Sequence, residues 1–272
     1  MTSDEVGLPL SRRRALALGG AALGGTALSG TALGTDDDDE HGGDDDRKDD
    51  DDDDGARQYR VTVANLTSGQ PFTPPAVAAH RPTVEVFSVG EPANEVVQQI
   101  AENGNLDPLV SLIDETDAIR AAAVAEQPLV PSSDPGGTEL PAYATLELAA
   151  DASATHLTFI SMLIATNDGF VGLDTVPLPA EGNASRTYYA NGYDAGTEQN
   201  TEQFADMVPP AQSLIQGGEA EGGTAESNPD LAEDGVIHPH AGIQGDGDLD
   251  PAVYGWREPA ALVQVERLTD DD

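Results

Sequence analysis

Between Leu157 and Ala165 the chain has almost no polar face. Leu157, Phe159, Leu163 and Ala165 alternate with Ile160, Met162 and Ile164, so an extended backbone here is apolar on both sides. Such a strand needs cover on each face, which a half-solvated sheet cannot provide, and it predicts a core strand in a layered β fold. It runs into Asn167-Asp168-Gly169, a turn signal, because Asn and Asp tolerate tight turns and Gly supplies positive φ. A second strand-like piece, Thr187 to Tyr193, ends in Asp194-Ala195-Gly196-Thr197-Glu198. Asp194 and Glu198 stand four apart around a glycine, so a loop that curls there lines itself with carboxylates, the ligands of a hard cation.

The same period of two recurs elsewhere. Tyr59, Val61 and Val63 alternate with Arg60 and Thr62, Tyr143 to Leu148 alternates again, and a final strand over 260–268 sets Leu262, Gln264 and Glu266 against Val263, Val265 and Arg267. Val84, Val86 and Val89 predict a short extended piece. Gly90-Glu91-Pro92 predicts a helix start, with Val96, Val97 and Ile100 on one side and an end at Asn103-Gly104. A second short helix is predicted over 106–113. Residues 128–141 read as a loop, and residues 211–235, rich in Gly, Glu, Ser and Asn, as an exposed surface insertion. The expected fold is mostly β, an antiparallel β-sandwich with short capping helices.

Charge excludes several classes of partner. The chain carries 50 Asp and Glu against 12 Lys and Arg, a formal net charge of -38, with Lys48 its only lysine. Phosphate contacts require a basic patch, so nucleic acid is excluded as a partner, and anionic membrane surfaces are disfavoured. Near-absence of lysine on so acidic a chain fits molar salt, where the Debye length falls to about 3 Å and self-repulsion is muted. The expected source is halophilic. No cysteine is present, which removes disulfides, thiolate metal sites and thiol catalysis together.

The N-terminal region reads as targeting and spacer sequence. Ser11-Arg12-Arg13-Arg14 followed by an Ala/Gly/Leu stretch resembles a twin-arginine export signal over residues 1–34. Residues 35–56 follow as an acidic linker expected to be disordered, with fourteen Asp or Glu between positions 36 and 54 and no apolar side chain there. The folded domain is expected over 57–268, with an acidic tail at 269–272 and no membrane span in the mature chain.

Several blocks in order resemble one family. They are "YRVTVANLTSGQPFTPPAVAAH", "FSVGEPANEVVQQIAENGN", "SM…NDGFVGL", "DAGTEQN" and a late "GDGD…YGW…PAALVQVERL". Together they are similar to the spondin N-terminal domain family, found in extracellular matrix proteins and secreted prokaryotic proteins. The resemblance covers roughly residues 57 to 268. It implies a β-sandwich and a calcium ion held by carboxylates of the two acidic turns, which in this chain are Asp168, Asp194 and Glu198. It also implies a secreted or cell-surface location and, as partner, an extracellular or cell-envelope protein or glycan. Animal members carry disulfides; this chain departs from them in having none.

Other motifs weigh less. Asp246, Asp248 and Asp250 have the spacing of an EF-hand start, but Pro251 replaces the required Gly and Arg257 the bidentate Glu. His238-Pro239-His240 offers two imidazoles but no third ligand, and His156 reads as a structural histidine. No Gly-x-Ser-x-Gly elbow occurs, and Ser161 lies mid-strand. Asn65-Leu66-Thr67 and Asn183-Ala184-Ser185 are glycosylation sequons, expected at the surface. The function expected is an exported, non-enzymatic calcium-binding module for recognition or adhesion. The alternative is a secreted metal-dependent hydrolase built on the same acidic turns, and a carbohydrate-binding module would require exposed aromatics.

Overall fold

The computed structural model describes residues 6–10, 56–220 and 222–269. The strands, in chain order, are β1 (Val6–Leu10), β2 (Arg57–Asn65), β3 (Ala76–His80), β4 (Ile119–Val124), β5 (Tyr143–Ala150), β6 (His156–Met162), β7 (Gly169–Pro177), β8 (Ser185–Asp194), β9 (His238–Pro239) and β10 (Ala261–Arg267). Among the described residues four α-helices interrupt them: α1 (Glu95–Asn103), α2 (Asp107–Glu115), α3 (Ser213–Gln216) and α4 (Pro251–Tyr254). The strand order is β10-β2-β5-β1-β4-β3-β6-β7-β8-β9, and a further β10–β8 pairing nearly closes the sheet. All ladders are antiparallel except β1 with β5.

Two layers result, as the period-two pattern predicts. In the first, β8, β10, β2 and β5 pair in sequence; in the second, β4, β3, β6, β7 and β8 do. Tyr59, Val61, Val63, Leu146, Val263 and Val265 from the first layer meet Val77, Leu157, Phe159 and Val171 from the second in one buried cluster. The far face of the second layer, with Ile160, Met162 and Phe170, packs under Val97 and Ile100 of α1 and Leu109 and Ile113 of α2 in another. Strand β6 is therefore covered on both faces, which explains its two apolar phases. Strand β8 changes layer midway. Ser185–Ala190 pairs with β10 and Asn191–Asp194 with β7, and this crossing delivers Asp194 beside the end of the core strand.

Helix α1 starts later than the Gly-Glu-Pro signal implies. Asn94 is its N-cap, its side-chain oxygen accepting the Val97 N–H at 3.0 Å, and Gly104 ends it in the left-handed region at φ 64°. The extended piece expected around Val84 forms no ladder. Val84 and Val86 are buried, but the Val86 N–H goes to Asp174 Oδ1 at 2.9 Å and the Val84 carbonyl to the Thr175 hydroxyl, so side chains satisfy the backbone instead.

Two regions differ from expectation in placement. Residues 1–34 read as outside the fold, yet Val6–Leu10 fills the gap between β4 and β5, pairing with both; residues 1–5 and 11–55, including the three arginines and the acidic run, lie outside the described residues. Residues 211–235 are not wholly a surface insertion, because Ala211, Leu214 and Ile215 are buried in the helix-side cluster. Among the described residues, no helix is long and apolar enough to cross a membrane.

Candidate functional site

The site grows out of the end of β6. Thr166 closes the turn: its hydroxyl donates to the Leu163 carbonyl at 2.6 Å and accepts the Gly169 N–H at 2.9 Å. A Cβ on Gly169 would lie 2.4 Å from that hydroxyl, so only glycine lets the turn close this tightly. Asn167 and Asp168 are thereby held inside the protein, 1% and 0% exposed. Asn167 accepts the Glu202 N–H and donates to the Thr201 hydroxyl, tying the first acidic turn to the far end of the second.

Asp168 organises the second turn. Its Oδ2 accepts three hydrogen bonds, from Thr197 N–H at 2.7 Å, Glu198 N–H at 3.0 Å and the Thr197 hydroxyl at 3.2 Å, while its backbone carbonyl accepts the Ala195 N–H. Gly196 makes the curl possible: its φ is +68°, and an added Cβ would stand 2.7 Å from the Val236 nitrogen. Asp194 lies at the curl's entrance, with Oδ1 accepting the Gly196 N–H at 2.8 Å and Oδ2 the Asn200 side-chain amide at 2.6 Å. At the exit Glu198 Oε1 accepts the Asn228 N–H at 2.8 Å.

Among the described residues no Lys or Arg pairs with the carboxylates of this loop pair, and His238 Nε2 comes only within 3.9 Å of Asp194 Oδ1. Burial pushes the Asp168 carboxyl up to about 6, and the neighbouring Asp194 carboxylate adds to the rise against the loop's hydrogen bonds. Burial likewise lifts Glu198 to about 7, aided by Glu102, Asp168 and Asp206. The other oxygen of Asp168, Oδ1, is buried with no hydrogen-bond partner. A carboxylate oxygen with no donor, next to a second carboxylate, is the environment that a hard cation relieves.

The three residues expected to ligate are thus parts of one loop pair. The Asp194 carboxylate acts on Asp168, and Asp168 acts in turn on Glu198, whose Oε1 is held by Asn228. Among the described residues, no group of three or more His, Cys, Asp or Glu stands together in a metal-binding arrangement. Asp168 Oδ1 has no donor and Asp194 has lone pairs left over beside its two hydrogen bonds, whereas Glu198 also faces the buried Glu102 of α1, whose Oε2 has no partner either.

Other sequence candidates resolve as structure. Asp248 accepts the Phe204 N–H and Asp250 caps α4, so the aspartates at odd spacing are turn and cap residues. His238 Nε2 lies 3.9 Å from Asp194 Oδ1, and His240 packs on Trp256 with ring centroids 5.1 Å apart. His156 stacks on His80. Asn65 corrects the surface expectation for its sequon. It is 4% exposed, with its amide donating to the Gln70 and Leu129 carbonyls and its oxygen taken by Thr67, so no glycan fits there. Sequence reasoning missed Glu202, a buried carboxylate that accepts the N–H groups of Gln244, Gly245 and Asp246 and fastens the late loop to the site. Nothing local distinguishes it from its many acidic neighbours.

The family described as Spondin_N matches residues 65–216, a span that holds both acidic turns. No curated protein resembles the chain closely enough to match.

Proposed function

The chain belongs to the spondin N-terminal domain family, and from that membership we propose that it is an exported, calcium-binding recognition module that works by binding, with no reaction of its own. The observation that carries the calcium reading is Asp168 Oδ1, a fully buried carboxylate oxygen without a donor beside the Asp194 carboxylate. Calcium accepts six to eight oxygens. Asp168 and Asp194 would supply carboxylate ligands, Glu198 would complete the set from the exit of the curl, and backbone carbonyls and water would fill the rest. The bound ion would neutralise the loop pair and hold the two turns together on a rigid layered scaffold.

The extracellular reading draws on the family and on the arginines at 12–14, and a halophilic setting on the formal charge of -38. In this account the protein crosses the membrane folded and acts on the outside, toward an envelope or extracellular partner. Replacing Arg12, Arg13 and Arg14 together by Lys keeps the +3 charge of this cluster and removes the twin-arginine signature. Fractionation of cells expressing that variant is expected to find the chain inside, with the parent outside. Equal amounts of both proteins in the medium would contradict the export route.

A further inference from the structure

We propose that the outward face of the first sheet layer binds an uncharged oligosaccharide or polysaccharide. Three of the five large hydrophobic side chains exposed among the described residues, Leu66, Tyr143 and Tyr189, converge on this face from distant points in the sequence. Strand register aligns them. Tyr189 of β8 pairs with Leu262 of β10, Leu262 with Ala64 of β2, and Ala64 with Tyr143 of β5, forming one row across four strands. Tyr189 is 61% and Tyr143 41% exposed, and three strand spacings of ~4.8 Å set them about 14 Å apart. Leu66 follows Ala64 by two residues, on the same side of the chain.

The next row is polar and uncharged: Thr187, Gln264, Thr62 and Thr145, with the Thr62 and Thr145 hydroxyls 3.3 Å apart. Of these three rows only the third carries charge, where Arg60 lies between Glu147 and Glu266 and pairs with both. Eight neighbouring positions thus lack a carboxylate on a chain with 50 acids and 12 bases. Among the described residues the helices pack on the other layer, and Tyr143 and Tyr189 of this one stay exposed.

A platform of this kind selects its ligand by chemistry. Two flat rings, rigid and cheap to immobilise, offer stacking surfaces for the apolar faces of sugar rings. The Thr and Gln row beside them supplies donors and acceptors for equatorial hydroxyls. The cation of these rows, Arg60, is taken up by Glu147 and Glu266 and stands two rows from the tyrosines, so the platform offers no free charge for phosphate, sulfate or uronate groups and the ligand is neutral. Tyr143 and Tyr189, two of the chain's six Tyr, are exposed here and take no part in the core. This inference rests on the extracellular recognition reading and gives it a ligand class.

The test is sedimentation of the full chain in molar salt with insoluble cellulose, chitin, β-1,3-glucan and mannan, with cross-linked alginate as the anionic comparison. Retention is expected on at least one neutral polysaccharide and not on alginate. Tyr143→Ala and Tyr189→Ala are each expected to weaken it about 10-fold with unchanged melting temperature, and Thr62→Asp to abolish it in a chain that still melts cooperatively. Failure of all four neutral polysaccharides to retain the chain overturns the inference, as does retention indifferent to the Tyr substitutions. A Tyr-dependent dimer in analytical ultracentrifugation, with no retention, likewise assigns the face to self-association. An exported chain that binds no neutral polysaccharide leaves the extracellular reading standing, whereas a chain confined to the cytoplasm removes the reading itself.

Discussion

Asp168→Asn is expected to melt above the parent protein in calcium-free, high-salt buffer at pH 8. Asp168 is fully buried, its Oδ2 already holds three donors, and its Oδ1 holds none. Asparagine keeps an oxygen for Thr197 and Glu198 and replaces the orphaned oxygen by N–H donors within the field of Asp194. Burial, then Asp194, raise the Asp168 carboxyl from 3.8 to about 6, so the folded state holds a proton that the unfolded chain has released. Stability therefore falls as pH climbs from about 4 through 6, and the loss is complete above the folded value. Two units correspond to about 3 kcal/mol at most, and partial relaxation leaves roughly 2 kcal/mol, about 5 °C in a domain of this size. The difference should close near pH 4. Glu198, raised to about 7 by burial first, adds to the parent's decline over the same range. Melting curves of both proteins from pH 4 to 8 check this; a variant that melts below the parent at every pH would show that the orphaned oxygen has a partner.

Phe159→Ala should cost more than any outward-face substitution. Phe159 is 0% exposed, lies mid-strand in β6 between the two layers, and is flanked in register by Val77 of β3 and Leu173 of β7. Truncating a buried phenylalanine removes its transfer free energy and leaves a cavity, about 3–5 kcal/mol in all. At roughly 2–4 °C per kcal/mol the melting temperature drops by about 10 °C. Tyr189→Ala, on the solvent side of β8, should stay within about 0.5 kcal/mol of the parent. Thermal or denaturant melts at constant salt separate the two, and similar losses would contradict the layered assignment.

The contrast shows what was legible beforehand. Strand β6 announced itself because both of its phases are apolar, and a strand with two buried faces needs two layers around it. Helix α1 was readable from Val96, Val97 and Ile100 and its terminal Asn-Gly. Strands β3 and β4 went unread because Ala76–His80 and Ile119–Val124 are built mainly from alanine, which has little β preference, and only pairing makes them strands. The turns that hold Asp168 and Asp194 were visible as Asn-Asp-Gly and Asp-Ala-Gly. Their electrostatics were not, since the burial of Asp168, the approach of Glu102 to Glu198 and the anchoring by Glu202 depend on contacts between segments distant in sequence. For the same reason the row from Tyr189 to Tyr143 exists only once four strands are in register.

Calcium titration by calorimetry at constant molar salt, on the parent and on Asp168→Asn, tests the account at its centre. The parent is expected to bind one calcium ion in the two acidic turns, with heat that disappears in the variant while its fold is retained. Equal binding by the two proteins, or none by the parent, would contradict it.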